Sequence, residues 1–100
     1  MIRFEWDPAK AAINRRKHGV SFETARRVFA DPFAVSDGDR DEGREQRWIT
    51  LRAVENFLFV VVVHTTREED ENGEIVEVIR IISAREASRK ERRRYEQESR

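Results

Sequence analysis

The sequence predicts an α+β domain: an antiparallel β-sheet with two N-terminal helices and a C-terminal helix. Three observations carry this expectation. Runs that alternate apolar and polar residues, or that are rich in β-branched ones, fall at 1–6, 47–53, 57–65 and 75–83, as strands require. Between residues 8 and 30, apolar residues recur at helical spacing and are bounded by matched start and stop signals. A Ser-x-x-Glu pattern at 83–86 precedes a charged tail with opposite charges at helical spacing. At 100 residues the chain has room for one core, so residues 1–100 are read as one domain.

Ile2, Phe4 and Trp6 alternate with Arg3 and Glu5, the pattern of a half-buried strand short enough to be an edge. Asp7 can cap helical amides and Pro8 suits the first helical position, which predicts a helix over 8–18. Its apolar stripe is read as Ala9, Ala12 and Ile13. Arg15, Arg16 and Lys17 load its last turn, and Gly19 suits a left-handed stop. A second helix starts at Ser21, carries Phe22, Ala25, Val28 and Phe29 inward, and ends before Asp31-Pro32. Residues 33–35 read as the start of a strand and 36–45 as a polar loop. Strands over 47–53 and 57–65 are joined by a turn at Glu55-Asn56. A connection over 66–74 containing Asn72-Gly73 makes a long hairpin with 75–83. Ser83-Ala84-Arg85-Glu86 is read as the capping box of the last helix.

Lys and Arg equal Asp and Glu at 20 each, and cysteine is absent. Disulfides, thiolate metal sites and cysteine nucleophiles are thereby excluded. The longest apolar run, 57–63, is far shorter than a membrane span, and the N-terminus reads as lacking a signal peptide; a cytoplasmic protein without membrane contact is expected. Charge is uneven along the chain. Residues 1–35 hold seven Lys/Arg against four Asp/Glu, residues 57–83 two against six, and residues 84–100 seven against four. If the first and last helices adjoin, Arg15, Arg16, Lys17, Arg89, Lys90, Arg92, Arg93 and Arg94 frame one basic rim for phosphates. Otherwise they are two solvated helix faces. The acidic run 68–71 is read as a hairpin tip.

The histidines are His18 and His64. His18 stands at a helix stop, whereas His64 ends an apolar strand beside Thr65, Thr66 and Arg67, a position open to either a structural or a proton-transfer role. Arg80, flanked by Ile79 and Ile81, must reach solvent, a carboxylate or a substrate phosphate. Arg47, Arg52 and Arg67 raise the same question on neighbouring strands. Trp6 and Trp48, each on a strand, read as core, with stacking on bases the alternative. Nucleotide-hydrolase, dinucleotide and zinc-hydrolase motifs do not occur. RNA, however, is cleaved without a metal when a base accepts the 2′-OH proton and cations stabilise the phosphate, and no cofactor is expected.

Phe4-Glu5-Trp6-Asp7, Lys10, Asn14, Lys17-His18-Gly19-Val20-Ser21-Phe22, Val61-Val62-Val63-His64-Thr65 and Arg80-Ile81-Ile82-Ser83-Ala84-Arg85, taken in this order, resemble the BrnT family of type II toxins. The resemblance implies a RelE-like fold and an endoribonuclease that inhibits translation. It also implies a BrnA-like ribbon-helix-helix antitoxin as partner, RNA as substrate, and operator DNA met only through the antitoxin. Within it, His64, Arg67, Glu68, Arg80 and Arg85 are the catalytic candidates, and Lys17, Arg47 and Arg52 the substrate-binding ones. The chain departs from relatives that carry a histidine in the mid-chain loop, where it reads Asp37-Gly38-Asp39-Arg40-Asp41-Glu42-Gly43-Arg44. The alternative is therefore a weak or inactive module that retains antitoxin binding.

Overall fold

Pairing of the strands Ile2–Glu5 (β1), Val35–Asp39 (β2), Arg47–Val54 (β3), Leu58–Glu71 (β4) and Glu74–Glu86 (β5) builds one sheet in the order β1-β5-β4-β3-β2. The structure, a computed structural model, describes residues 1–30, 35–39, 47–54 and 58–98, with side chains at 1–30 and 59–98. The expected Glu55-Asn56 turn and residues 40–45 of the expected loop lie outside the described residues. Helices occupy Pro8–His18 (α1), Phe22–Arg26 (α2) and Arg89–Glu98 (α3), and a 3-10 turn over Arg27–Ala30 continues α2.

The sheet is mixed, which corrects the all-antiparallel expectation. β1 runs parallel to β5, with Ile2 opposite Glu77 and Glu5 opposite Arg80, while the other pairs are antiparallel. Hairpins dictate antiparallel pairing only between strands adjacent in sequence, and most of the chain separates β1 from β5. Residues 36–39 belong to strand β2, not to a loop. Their low strand propensity yields to pairing with β3, because β-propensity is strongly context-dependent.

β4 and β5 extend beyond the predicted strands, so the connection between them is only Asn72-Gly73. Both residues have positive φ, 55° and 85°, as a two-residue type I′ hairpin turn requires. The acidic run 68–71 is consequently strand rather than loop. A bulge interrupts the ladder: Val63 pairs with Ser83 but His64 with Ile81. The extra residue, Ile82, lets Ile81 and Ala84, three apart, face the same side.

Asp7 caps α1, accepting from the amides of Ala9 at 2.8 Å and Lys10 at 3.4 Å. Gly19, at φ 75°, donates to the Arg15 carbonyl at 2.8 Å. The helix packs differently from the predicted stripe. Ala9, Ala12 and Ile13 are exposed, whereas Ala11 packs on the core and Asn14 is buried. Asn14 replaces an apolar residue because its amide satisfies backbone groups next to it: Nδ2 donates to the carbonyls of Val20 (3.1 Å) and Ala84 (2.8 Å), and the Ala84 amide donates to Oδ1 (3.2 Å). Ser21 caps α2 through the Thr24 amide at 3.1 Å.

Phe22, Ala25 and Val28 meet Val20, Val60, Val62, Ile81 and Ala84 in the main core, with Phe4, Trp6 and Phe29 partly buried around it. On the opposite sheet face, Phe59 stacks edge-on to Tyr95 of α3 at 5.4 Å and lies under the Arg92 guanidinium at 4.7 Å. Thus Ala11 of α1 and Tyr95 of α3 pack on opposite sides of the sheet, which favours the reading of two separately solvated helix faces over one joint basic rim. The strand β5 runs through the predicted capping box at 83–86. The box that caps α3 is Ser88-Arg89-Lys90-Glu91: Ser88 N donates to Glu91 Oε1 at 2.9 Å and Glu91 N to Ser88 Oγ at 3.2 Å.

Candidate functional site

The pleat sends Arg67, Glu69 and Glu71 of β4 and Arg80 of β5 to the face that α1 and α2 leave uncovered. Registers align Glu5, Arg80 and Thr65, with Arg47 the next backbone position in that row, and set Arg3 and Arg67 on either side of Val78. Val76 and Val78 are buried on this face next to the aliphatic stems of the arginines, which can cover them while the guanidinium groups reach water.

Glu5 is the centre of this group. Its Oε1 accepts a short charge-assisted bond from Arg67 Nη1 and lies 3.7 Å from Arg80 Nη1. Arg67 Nε also donates to Glu69 Oε1 at 2.9 Å, and Arg3 Nη2 to Glu69 Oε2 at 2.7 Å; Arg3 further pairs with Glu71. The Arg67 guanidinium, with help from Arg80 and Arg3, holds the Glu5 carboxyl below the usual carboxylate range. Arg3 and Arg67 do the same to Glu69, and the two carboxylates in turn hold Arg67 more firmly protonated. The arrangement is an ionised carboxylate between two cations on an exposed sheet face, able to bind a phosphate and to accept a proton.

The other predicted residues are placed less uniformly. His64 is 4% exposed, with its ring edge-on to Phe29 at 4.7 Å. Burial lowers its pKa to about 4, against the opposing pull of a hydrogen bond with the Thr65 backbone; His64 is a neutral core side chain on the helix-covered face. Glu68 follows Arg67 in the strand and so points to the opposite face, across from Glu77. Arg85 shares the face of Arg80 but is held by α3: its Nη1 and Nη2 donate to the two Glu91 oxygens at 2.8 and 2.9 Å. That pairing, and Ser88, bring the Glu91 pKa down to about 2. Lys17 is exposed on α1, beside a groove bordered by β5. Arg47 and Arg52 occupy β3 in register with Thr65 and Val60, and their side chains lie outside the described residues.

Reasoning from sequence did not single out Glu5. The signal was present, since a charged residue alternating with Phe4 and Trp6 must face away from the core they enter.

Comparison with known proteins gives the chain a family. The sequence model described as "Ribonuclease toxin, BrnT, of type II toxin-antitoxin system" matches residues 6–91. The chain belongs to the BrnT family. The 1.1 Å crystal structure of the Brucella abortus ribonuclease toxin BrnT is similar to it with a TM-score of 0.57 at 18% identity, covering 89% of this chain and 100% of that one. The likeness shows a shared BrnT fold. No curated protein matches the sequence. As a BrnT toxin of a type II system, the chain is a ribonuclease toxin with an antitoxin for a partner. Among the described residues no helix is long and apolar enough to cross a membrane, and no group of three His, Cys, Asp or Glu is placed to hold a metal.

Proposed function

We propose that the chain is a metal-independent endoribonuclease of RelE-like fold that acts in the cytoplasm, cuts RNA to inhibit translation, and is neutralised by a BrnA-like ribbon-helix-helix antitoxin through which alone it meets operator DNA. The observation that carries the chemistry is Glu5 held between Arg67 and Arg80 on an exposed face.

Arg67 and Arg80 bind the non-bridging oxygens of a phosphodiester, and Glu5 takes the proton of the neighbouring 2′-OH. The 2′-oxygen attacks phosphorus, the bond to the 5′-oxygen breaks, and that oxygen leaves with a proton drawn from solvent, giving a 2′,3′-cyclic phosphate. In the free protein Arg67 makes Glu5 a weak base. A bound phosphate draws the guanidinium groups away and places negative charge beside the carboxylate, and both effects raise its proton affinity toward a useful range. Arg47 lies in the same backbone row, and we assign it a phosphate contact; Arg85 joins when Glu91 releases it, and Arg52 contacts RNA farther along β3. Burial of His64 and the opposite direction of Glu68 favour Glu5 over both as the base.

Expression of the chain and of Arg80→Ala in a bacterium, with and without the antitoxin and with RNA integrity followed in EDTA-treated extracts, tests the reading. Growth arrest with RNA cleavage that survives EDTA and is lost in folded Arg80→Ala supports it; continued toxicity of that variant removes Arg80 from the mechanism. The second reading, a binding module without cleavage, is favoured by the carboxylates that already occupy Arg3, Arg67 and Arg85. It predicts antitoxin binding without arrest.

A further inference from the structure

Beyond Arg80, strand β5 loses its neighbour. β1 ends at Glu5, and α1 crosses the vacated edge, tied to it by Asn14 and Ala84. Beside that tie lies a groove of about 230 Å³ between α1 and β5, bordered by Lys10, Ile13, Lys17, His18, Ile82 and Ser83. Lys10, Ile13, Asn14 and Lys17 follow the spacing i, i+3, i+4, i+7 and so share one helix face. Asn14 turns inward, Ile13 is 54% exposed, and the lysines are exposed at either end. Seven residues of helix separate the lysines by about 10 Å, enough to meet different phosphates of one strand.

Two connections join the groove to the Glu5 group. Lys10 stands one turn into the helix that follows Glu5, and Ile82 is two residues, about 7 Å of strand, beyond Arg80. We infer that this groove is a second binding site for the same single-stranded RNA, Lys10 and Lys17 taking backbone phosphates that flank the scissile one while Ile13 and Ile82 contact a base. The inference rests on the ribonuclease reading for the identity of its ligand. Positive charge around an apolar floor fits a polyanion whose bases offer flat faces for contact, and among the described residues no carboxylate borders the groove. Asn14 already occupies the Ala84 amide and carbonyl, which leaves that point of the edge closed to an added β-strand.

The test uses the full chain and a labelled single-stranded 2′-O-methyl oligonucleotide, which lacks the attacking hydroxyl, with affinity measured by fluorescence anisotropy over a range of salt. Neutralising two phosphate contacts makes the slope of log K against log salt shallower by about 1.4. Lys10→Gln/Lys17→Gln is expected to show that change. Arg15→Gln/Arg16→Gln, which removes the same charge from α1 outside the groove, is expected to change it clearly less. On a cleavable RNA the lysine pair raises KM for a long oligonucleotide more than for a dinucleotide too short to reach the groove. An unchanged slope, or equal changes in the two pairs, overturns the inference, as does a lysine-pair defect confined to antitoxin binding. A groove-dependent slope in a chain that cuts no RNA would keep the groove and sink the ribonuclease reading; cleavage with an unchanged slope would do the reverse.

Discussion

Asn14 and Ala84 exchange two hydrogen bonds, the side-chain amide of one reading the backbone of the other as a strand would, at 2.8 and 3.2 Å. Asn14→Ala strands the Ala84 amide and carbonyl and the Val20 carbonyl in a buried place. Each net bond is worth about 1 kcal/mol and each orphaned group costs more, so a loss of about 3 kcal/mol is expected. A shift in urea midpoint equivalent to less than 1 kcal/mol would show that water or a backbone adjustment replaces the amide.

Glu5→Gln keeps the shape of the side chain but removes the proton acceptor. Cleavage is expected to fall by about 100-fold or more, with unfolding little changed, because an exposed ion pair contributes at most about 1 kcal/mol. Single-turnover cleavage and thermal unfolding of the same preparation separate the two effects. A variant that cuts at the original rate would take the proton transfer away from Glu5.

His64 makes stability fall with acid. Its folded pKa of about 4 lies below the ordinary imidazole value of 6.5, so between these values the unfolded chain binds a proton that the native one refuses. Stability is unaffected above about pH 6.5 and declines as pH drops toward 4, by about 1–2 kcal/mol at pH 5. His64→Leu should flatten that part of the profile, whereas an identical slope would place its cause in another group.

Glu91 acts at lower pH. Its carboxyl is depressed from 4.5 to about 2, so the stability it contributes is present above about pH 4.5 and is lost as pH falls through 2. Allowing for solvent around the Arg85 pair, the contribution is about 1–2 kcal/mol. Glu91→Gln should speed amide hydrogen exchange in α3 at neutral pH, leaving exchange in β4 unchanged. Unaltered protection of α3 would mean that Phe59, Tyr95 and Arg92 hold the helix without the ion pair.

Local chemistry was the legible part of the fold. Asp7, Pro8 and Gly19 bound α1 as the sequence indicates, Ser21 caps α2, and Asn72-Gly73 turns the hairpin. These features depend on neighbours in sequence. The parallel pairing of β1, the bulge at Val63/His64 and the strand β2 depend on what else reaches the sheet, and periodicity carries no record of that. The inward face of α1 was misread for a related reason: Asn14 is buried because of Ala84, a partner 70 positions away. Among site residues, arginines at strand positions were visible as a question, and Arg67 and Arg80 do converge. Alternation with Phe4 and Trp6 marks Glu5 as facing away from the core, but that it joins the two arginines follows only from β1 lying beside β5. The Ser88 capping box follows another Ser-x-x-Glu at 83–86, and strand pairing decided between them.

Under the proposed chemistry, the position of β1 also governs when the molecule becomes active during its own synthesis. Glu5 leaves the ribosome well before Arg67, 62 positions later, and before Arg80, its neighbour in the sheet. Pairings this distant are slow to form. A partly translated chain therefore carries the carboxylate and the guanidinium groups on unjoined segments, and under the proposed chemistry assembly of the three is the step at which a harmless nascent chain becomes a competent one.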